Sequence, residues 1–134
     1  MKKIVINSCY GGYGLSYKAV MEYAKLKGIK LYPFIDNVSK EVYGKNVKKD
    51  NPNIIVHYAT KKATNETELN DNYFDVYKIE RDNPILIKVI EKLGEKANGR
   101  HAKLKIVKIP DNTKWTIEEY DGIEWVSEEH NTWS

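Results

Sequence analysis

The sequence predicts a single small α+β or α/β domain: two main helices packed on a mixed, mostly antiparallel sheet, with a C-terminal β-hairpin. Three observations predict it. The β-branched run Lys2–Asn7 meets a glycine loop and then a helical pattern. Asp82-Asn83-Pro84 opens a second stretch of helical spacing. Trp115–Val126 contains two alternating runs joined by Asp121-Gly122.

Each element follows from local chemistry. Lys2–Asn7 reads as a strand. Ser16 is a suitable N-cap for a helix over Tyr17–Lys27, which Gly28 closes at C′. Val20, Tyr23, Ala24 and the stem of Lys27 form its inward stripe. Ile29–Ile35 reads as a strand, and Pro33 makes it short or places it at an edge. Residues 36–72 read as a variable insert in the 1–134 domain. Within it, Val38–Tyr43 suggests a short structured turn, Lys45–Asn53 is polar, Ile54–Tyr58 suggests a strand, and Thr60–Asn72 reads as a loop. Long excursions in small domains are commonly functional.

Tyr73–Ile79 is the next expected strand. Asn83 before Pro84 is a strong helix start, because the side chain caps and proline suits the first turn. Leu86, Ile90, Leu93 and Ala97 then recur at helical spacing, widened by Ile85 and Val89, until Asn98-Gly99 ends the helix. Leu104–Ile109 alternates as a strand and stops at Pro110-Asp111-Asn112. Trp115–Tyr120 and Ile123–Val126 form a hairpin across Asp121-Gly122, a pair of type I′ composition.

At 134 residues the chain supports one domain with a real core. No apolar run approaches the roughly 18 residues of a membrane span, and the run after Lys3 is too short for a secretory leader. A cytoplasmic protein without membrane contact is expected. One cysteine, Cys9, excludes an internal disulfide. The net charge of +3 is too small to imply a nucleic-acid polymer as partner. Charge is nevertheless uneven: Trp115–Ser134 contains six acids and no Lys or Arg. Cationic residues are also skewed, with twenty lysines against two arginines, Arg81 and Arg100. In such a chain an arginine is read as a planar fork for an anion that lysine cannot replace, with a structural salt bridge or coincidence as the alternative.

The chemistry concentrates at Cys9–Ser16. A strand, glycine loop and helix start bring backbone N–H groups close to an anion. The sequence Gly11-Gly12-Tyr13-Gly14 lacks the Lys of a Walker loop and the full spacing of a dinucleotide fingerprint. Cys9 lacks the Arg of a C-x5-R phosphatase loop, because Leu15 stands there. What remains is binding: Cys9, Tyr10, Gly11, Gly12, Tyr13, Gly14 and Ser16 on one side, with Tyr10 or Tyr13 stacking a base. Asn98, Arg100 and Lys103, after the second helix, are candidates to clamp a pyrophosphate. The alternative is structural, a tight turn with tyrosines on the core and a C-cap with an exposed arginine. His57, His101 and His130 show no metal spacing, so neither a metal nor a cofactor is expected. No catalytic set assembles. Glu119 faces Glu124 in a two-residue hairpin, which requires another register, a cation, or a partner subunit. Trp115, Trp125 and Trp133 point to core packing or a subunit interface.

Five segments carry a resemblance: Asn-Ser-Cys-Tyr-Gly-Gly-Tyr-Gly-Leu-Ser (7–16), Arg-Asp-Asn-Pro (81–84), Leu-Gly-Glu-Lys-Ala-Asn-Gly (93–99), Leu-Lys-Ile-Val-Lys-Ile-Pro-Asp (104–111) and Trp-Thr-Ile-Glu-Glu-Tyr-Asp-Gly-Ile-Glu-Trp-Val (115–126). Together they resemble a group of small phage and prophage proteins, and the Thoeris anti-defence family among them. The resemblance covers both ends of the chain and little of 36–72. It implies a phage protein in the cytoplasm of an infected bacterium. Such a protein sequesters cyclic ADP-ribose isomers, or cyclic oligonucleotides, without turnover, and is a dimer or higher homo-oligomer. The resemblance supplies the ligand class alone; the residues named above come from local chemistry. Two rival expectations stand beside it. One is an enzyme acting on a phosphorylated nucleoside, with His101 or Glu95 as acid/base. The other is an inhibitor that binds a host protein through the acidic hairpin.

Overall fold

A computed structural model describes residues 1–35, 56–61 and 66–128. The element order is β1 (Lys2–Asn7), α1 (Tyr17–Lys27), β2 (Tyr32–Ile35), β3 (Val56–Ala59), α2 (Glu66–Asp71), β4 (Tyr73–Phe74), α3 (Pro84–Leu93), β5 (Leu104–Ile109), β6 (Trp115–Tyr120) and β7 (Ile123–Glu128). This is the expected small α+β domain with a C-terminal hairpin. Every described strand pair is antiparallel: β1 with β5, β2–β3–β4 in that order, and β6 with β7.

The β1–β5 ribbon lies between two layers. Lys2 pairs with Ile109 and Asn7 with Leu104, so alternate residues face opposite sides. Val5, Leu104 and Ile106 meet the helices, in a cluster with Ala19, Tyr23, Leu86, Val89 and Ile90. Ile4, Ile6, Val107 and Ile109 meet the hairpin through Trp115, Ile117 and Val126. The other side of α1, Val20 and Ala24, packs with Leu31, Tyr58 and Phe74 toward the second sheet. Fully burying each large aliphatic side chain contributes about 1.5–3 kcal/mol, so these clusters supply most of the driving force.

The signals at the helix ends act as expected. The Ser16 hydroxyl accepts from the Ala19 N–H, and Gly28 closes α1 in the left-handed region at φ 80°. The Asn83 side chain accepts from the N–H groups of Ile85 and Leu86, with Pro84 in the first turn of α3. Pro33 lies on β2, an edge strand of its sheet. The hairpin turn has φ 50° at Asp121 and 96° at Gly122, both positive as a type I′ turn requires.

Four expectations are corrected. The strand over Tyr73–Ile79 stops at Phe74, because the Asp75 carboxylate accepts from the Tyr77 N–H at 2.9 Å and folds Val76–Lys78 into a 3₁₀ turn. The loop over Thr60–Asn72 contains α2. The second helix changes to a 3₁₀ turn at Gly94, whose φ of 58° breaks the α ladder before Ala97. The strand expected from Ile29 begins at Tyr32. Moreover, β3 comes from the stretch read as a variable insert, yet it is the middle strand of its sheet. The readings for Val38–Tyr43, Lys45–Asn53, His130 and Trp133 lie outside the described residues.

Candidate functional site

The corner below the glycine loop is organised by Asn7, the last residue of β1 and fully buried. Its amide donates to the carbonyls of Cys9 and Gly122, each at 2.7 Å, and its Oδ1 accepts from the Lys103 N–H at 2.8 Å. One side chain therefore joins the loop, the hairpin turn and the start of β5. A buried amide is costly unless its groups are paired, and here donor and acceptor ends both are.

The loop then runs beside the segment that links α3 to β5. The Ser8 N–H donates to the Lys103 carbonyl, the Cys9 thiol to the His101 carbonyl, and the Gly99 N–H to the Gly14 carbonyl at 2.9 Å. Leu15 bridges Asn98, and the Ser16 hydroxyl donates to the Lys96 carbonyl at 2.6 Å. Three glycines permit this approach. A Cβ on Gly11 would strike the His101 carbonyl oxygen. One on Gly99 would lie 2.6 Å from the Gly14 carbonyl carbon, and one on Gly122 would strike the Tyr10 carbonyl oxygen. Gly11 therefore serves backbone-on-backbone packing, a use the sequence reading did not separate from ligand approach.

Arg81 locks this corner. Its guanidinium forks onto Glu124, with Nη1 and Nη2 at 2.7 and 2.8 Å from the two carboxylate oxygens. Nη1 also donates to the Val5 carbonyl at 3.1 Å, and the Arg81 carbonyl accepts from the Val5 N–H at 2.9 Å. Glu124 Oε1 further accepts from the Asn7 N–H at 2.8 Å. The edge of β1 not paired with β5 is thus covered by the Arg81–Glu124 pair, which removes a free strand edge. The guanidinium also lies 3.4 Å over the Tyr13 ring, a stacked geometry that lysine does not reproduce. The Glu119–Glu124 register holds. Its repulsion is relieved because Glu124 meets Arg81, while Glu119 accepts from the Gly122 N–H at 2.7 Å.

The sequence-selected residues are brought together: Cys9–Ser16 and Asn98–Lys103 are the two flanking segments of one paired loop. Arg100 and Lys103 are exposed, and among the described residues neither side chain has an ion pair or hydrogen bond. The N–H groups of Tyr10, Gly11, Tyr13 and Gly14 have no acceptor among the described residues. Asn98 faces inward, its Oδ1 accepting from the Leu104 N–H. The two candidate tyrosines differ. Tyr10 is 66 % exposed. Tyr13 has Arg81 over one face and Tyr77 edge-on, 6.3 Å away. Its hydroxyl is buried without a partner among the described residues, and burial pushes its pKa up to about 12, against the opposing pull of Arg81.

Sequence reasoning did not select Asn7, Gly99, Arg81, Gly122 or Glu124 for this corner. Two signals pointed that way: the scarcity of arginine, and two glutamates facing each other in the hairpin. Among the described residues no group of three or more His, Cys, Asp or Glu side chains is placed to hold a metal ion, and no helix is long and apolar enough to cross a membrane. Comparison with known proteins returns no match: no family model matches the chain, and no curated protein or solved structure is significantly similar to it.

Proposed function

We propose that the paired loop binds an anionic, nucleotide-type ligand and holds it without turnover. The observation that supports this reading is that two segments running side by side carry three groups without partners among the described residues. These are the N–H groups of Tyr10, Gly11, Tyr13 and Gly14, the exposed Arg100 and Lys103, and the exposed Tyr10 ring. Backbone donors and a guanidinium suit phosphate oxygens, and an aromatic face suits a base. Tyr10, rather than Tyr13, is the stacking residue, since Arg81 already covers Tyr13. The resemblance narrows the ligand to a cyclic ADP-ribose isomer or a cyclic oligonucleotide. It makes the role sequestration of a host immune signal by a phage protein acting as a homo-oligomer in the infected cell.

The test is depletion and recovery. The protein is incubated with cyclic ADP-ribose isomers and cyclic oligonucleotides, filtered, heat-denatured and analysed by mass spectrometry. Depletion followed by release of intact ligand supports sequestration. A converted product supports an enzyme acting on a phosphorylated nucleoside instead, and absence of depletion rejects both. Arg100→Ala should lower retention by about tenfold or more, in line with loss of a charge-assisted contact, while leaving the thermal midpoint unchanged. Full retention by that variant removes Arg100 from the site.

A further inference from the structure

The hairpin has two unlike faces. Trp115, Ile117 and Val126 turn toward Ile4, Ile6 and Ile109, and Glu124 turns toward Arg81. The strand register then places Glu118, Tyr120, Ile123 and Trp125 together on the opposite face. That face is open: Tyr120 is 71 % and Trp125 44 % exposed. Glu118 and Trp125 are direct cross-strand partners, and the indole N–H donates to Glu118 Oε2 at 3.1 Å. This bond fixes the carboxylate beside the edge of a ring that is 44 % exposed.

The molecule already uses such a pairing once. Arg81 is gripped by the Tyr13 ring on one side and the Glu124 carboxylate on another. Trp125 and Glu118 present the same two groups outward, and among the described residues Glu118 has no ion pair. Charge agrees with the geometry, because Trp115–Glu128 contains five acids and no Lys or Arg. Indole is the strongest of the aromatic rings for a cation, and a guanidinium can stack on it while forking to a carboxylate.

We infer that the outer face of the β6–β7 hairpin docks an arginine-bearing segment of a partner protein, with a guanidinium stacked on Trp125 and paired to Glu118. Tyr120 extends the apolar floor beneath the stem of that arginine. This surface is separate from the paired loop and does not depend on the ligand reading above.

The experiment uses the isotope-labelled full chain and a synthetic peptide, Gly-Arg-Gly-Arg-Gly, with its lysine counterpart. Amide shifts on titration should concentrate in Thr116–Ser127. Trp125→Ala should weaken peptide binding about fivefold or more, as loss of a cation–π contact predicts. Glu118→Gln should weaken it less, and the lysine peptide should bind less tightly than the arginine one. Both variants lie on the solvent face, so their unchanged thermal midpoints serve as the folding control. Shifts spread over the whole surface, or unaltered binding by Trp125→Ala, would overturn the proposal. Concentration-dependent self-association in sedimentation, abolished by Trp125→Ala, would overturn it in favour of a second copy of the chain.

Discussion

On the helical side of the β1–β5 ribbon, Val5, Leu104 and Ile106 meet Tyr23, Leu86, Val89 and Ile90 in an apolar layer, with the exposed Lys3–Glu91 ion pair at its margin. At the other edge of the same ribbon, position is set by a few directional contacts. Asn7 ties three chain segments together, Arg81 forks onto Glu124, and Gly11, Gly99 and Gly122 let backbones touch. The apolar side distributes its energy over many small contacts and tolerates small displacements. The polar corner concentrates its energy in a few groups and fixes the glycine loop against its two neighbours. Substitution on the apolar side should therefore change stability with little effect on the loop, where Tyr13 and Leu15 touch the cluster, whereas substitution in the corner should change both stability and the loop's geometry.

The largest effect is expected from breaking the pair at the corner. The two side chains are only 20 % and 9 % exposed, so Arg81→Ala leaves the Glu124 carboxylate desolvated without its partner. The cost should be about 3–5 kcal/mol in urea unfolding. A double variant, Arg81→Met with Glu124→Leu, removes both charges and should recover a good part of that loss. With Arg81→Met and Glu124→Leu also made singly, simple addition of their two effects in the double variant would show that the pair is not coupled.

Leu86→Ala attacks the other side. Leu86 is fully buried in the helical cluster, and its truncation should cost about 2–4 kcal/mol by lost burial and the cavity left behind. The corner should not notice. Amide shifts at Tyr10–Gly14 should remain near those of the parent, whereas Arg81→Ala should move them. If Leu86→Ala moves the loop as much as Arg81→Ala does, the two regions are not separable in the way the contacts indicate.

The same division governs what the sequence reveals. Helical spacing in Leu86, Ile90 and Leu93, the caps Ser16 and Asn83, and Asp121-Gly122 each report a local rule, and α1, α3 and the hairpin formed accordingly, while Ala97, expected in the same helix, falls in the 3₁₀ turn after it. The strand expected over Tyr73–Ile79 stops at Phe74 because the Asp75 carboxylate, a local side-chain acceptor, takes the Tyr77 N–H and turns the chain. The corner is the least legible part, because Asn7, Arg81 and Glu124 are far apart in sequence and no periodicity relates them. Their partial trace was negative: a facing Glu119–Glu124 pair that made no sense alone, and two arginines among twenty lysines. The candidate site was legible as two segments. That they run side by side follows from Gly99 and Gly11, whose missing side chains carry no visible partner in the sequence.

The smallest change separates the ring of Tyr13 from its hydroxyl. The ring carries Arg81, whereas the hydroxyl is buried and has no partner among the described residues. Tyr13→Phe keeps an aromatic face for the guanidinium and deletes only the unpaired oxygen, so stability at pH 7 should be equal to the parent or higher by up to about 1 kcal/mol. The hydroxyl also leaves a signature in alkali. Burial raises its pKa from 10.0 to about 12, which means that the unfolded chain releases this proton first. The stability tied to the protonated form is complete below pH 10 and is lost as pH rises through 12. For a group buried this deeply the loss is on the order of 2 kcal/mol. Phenylalanine has no such proton, so the variant's unfolding free energy should fall less steeply than the parent's between pH 10 and 12. Parallel curves would mean that Tyr13 titrates alike in both states. A loss above about 1 kcal/mol at neutral pH would mean that the hydroxyl has found a partner, and that the corner is held by one bond more than Asn7, Arg81 and Glu124 provide.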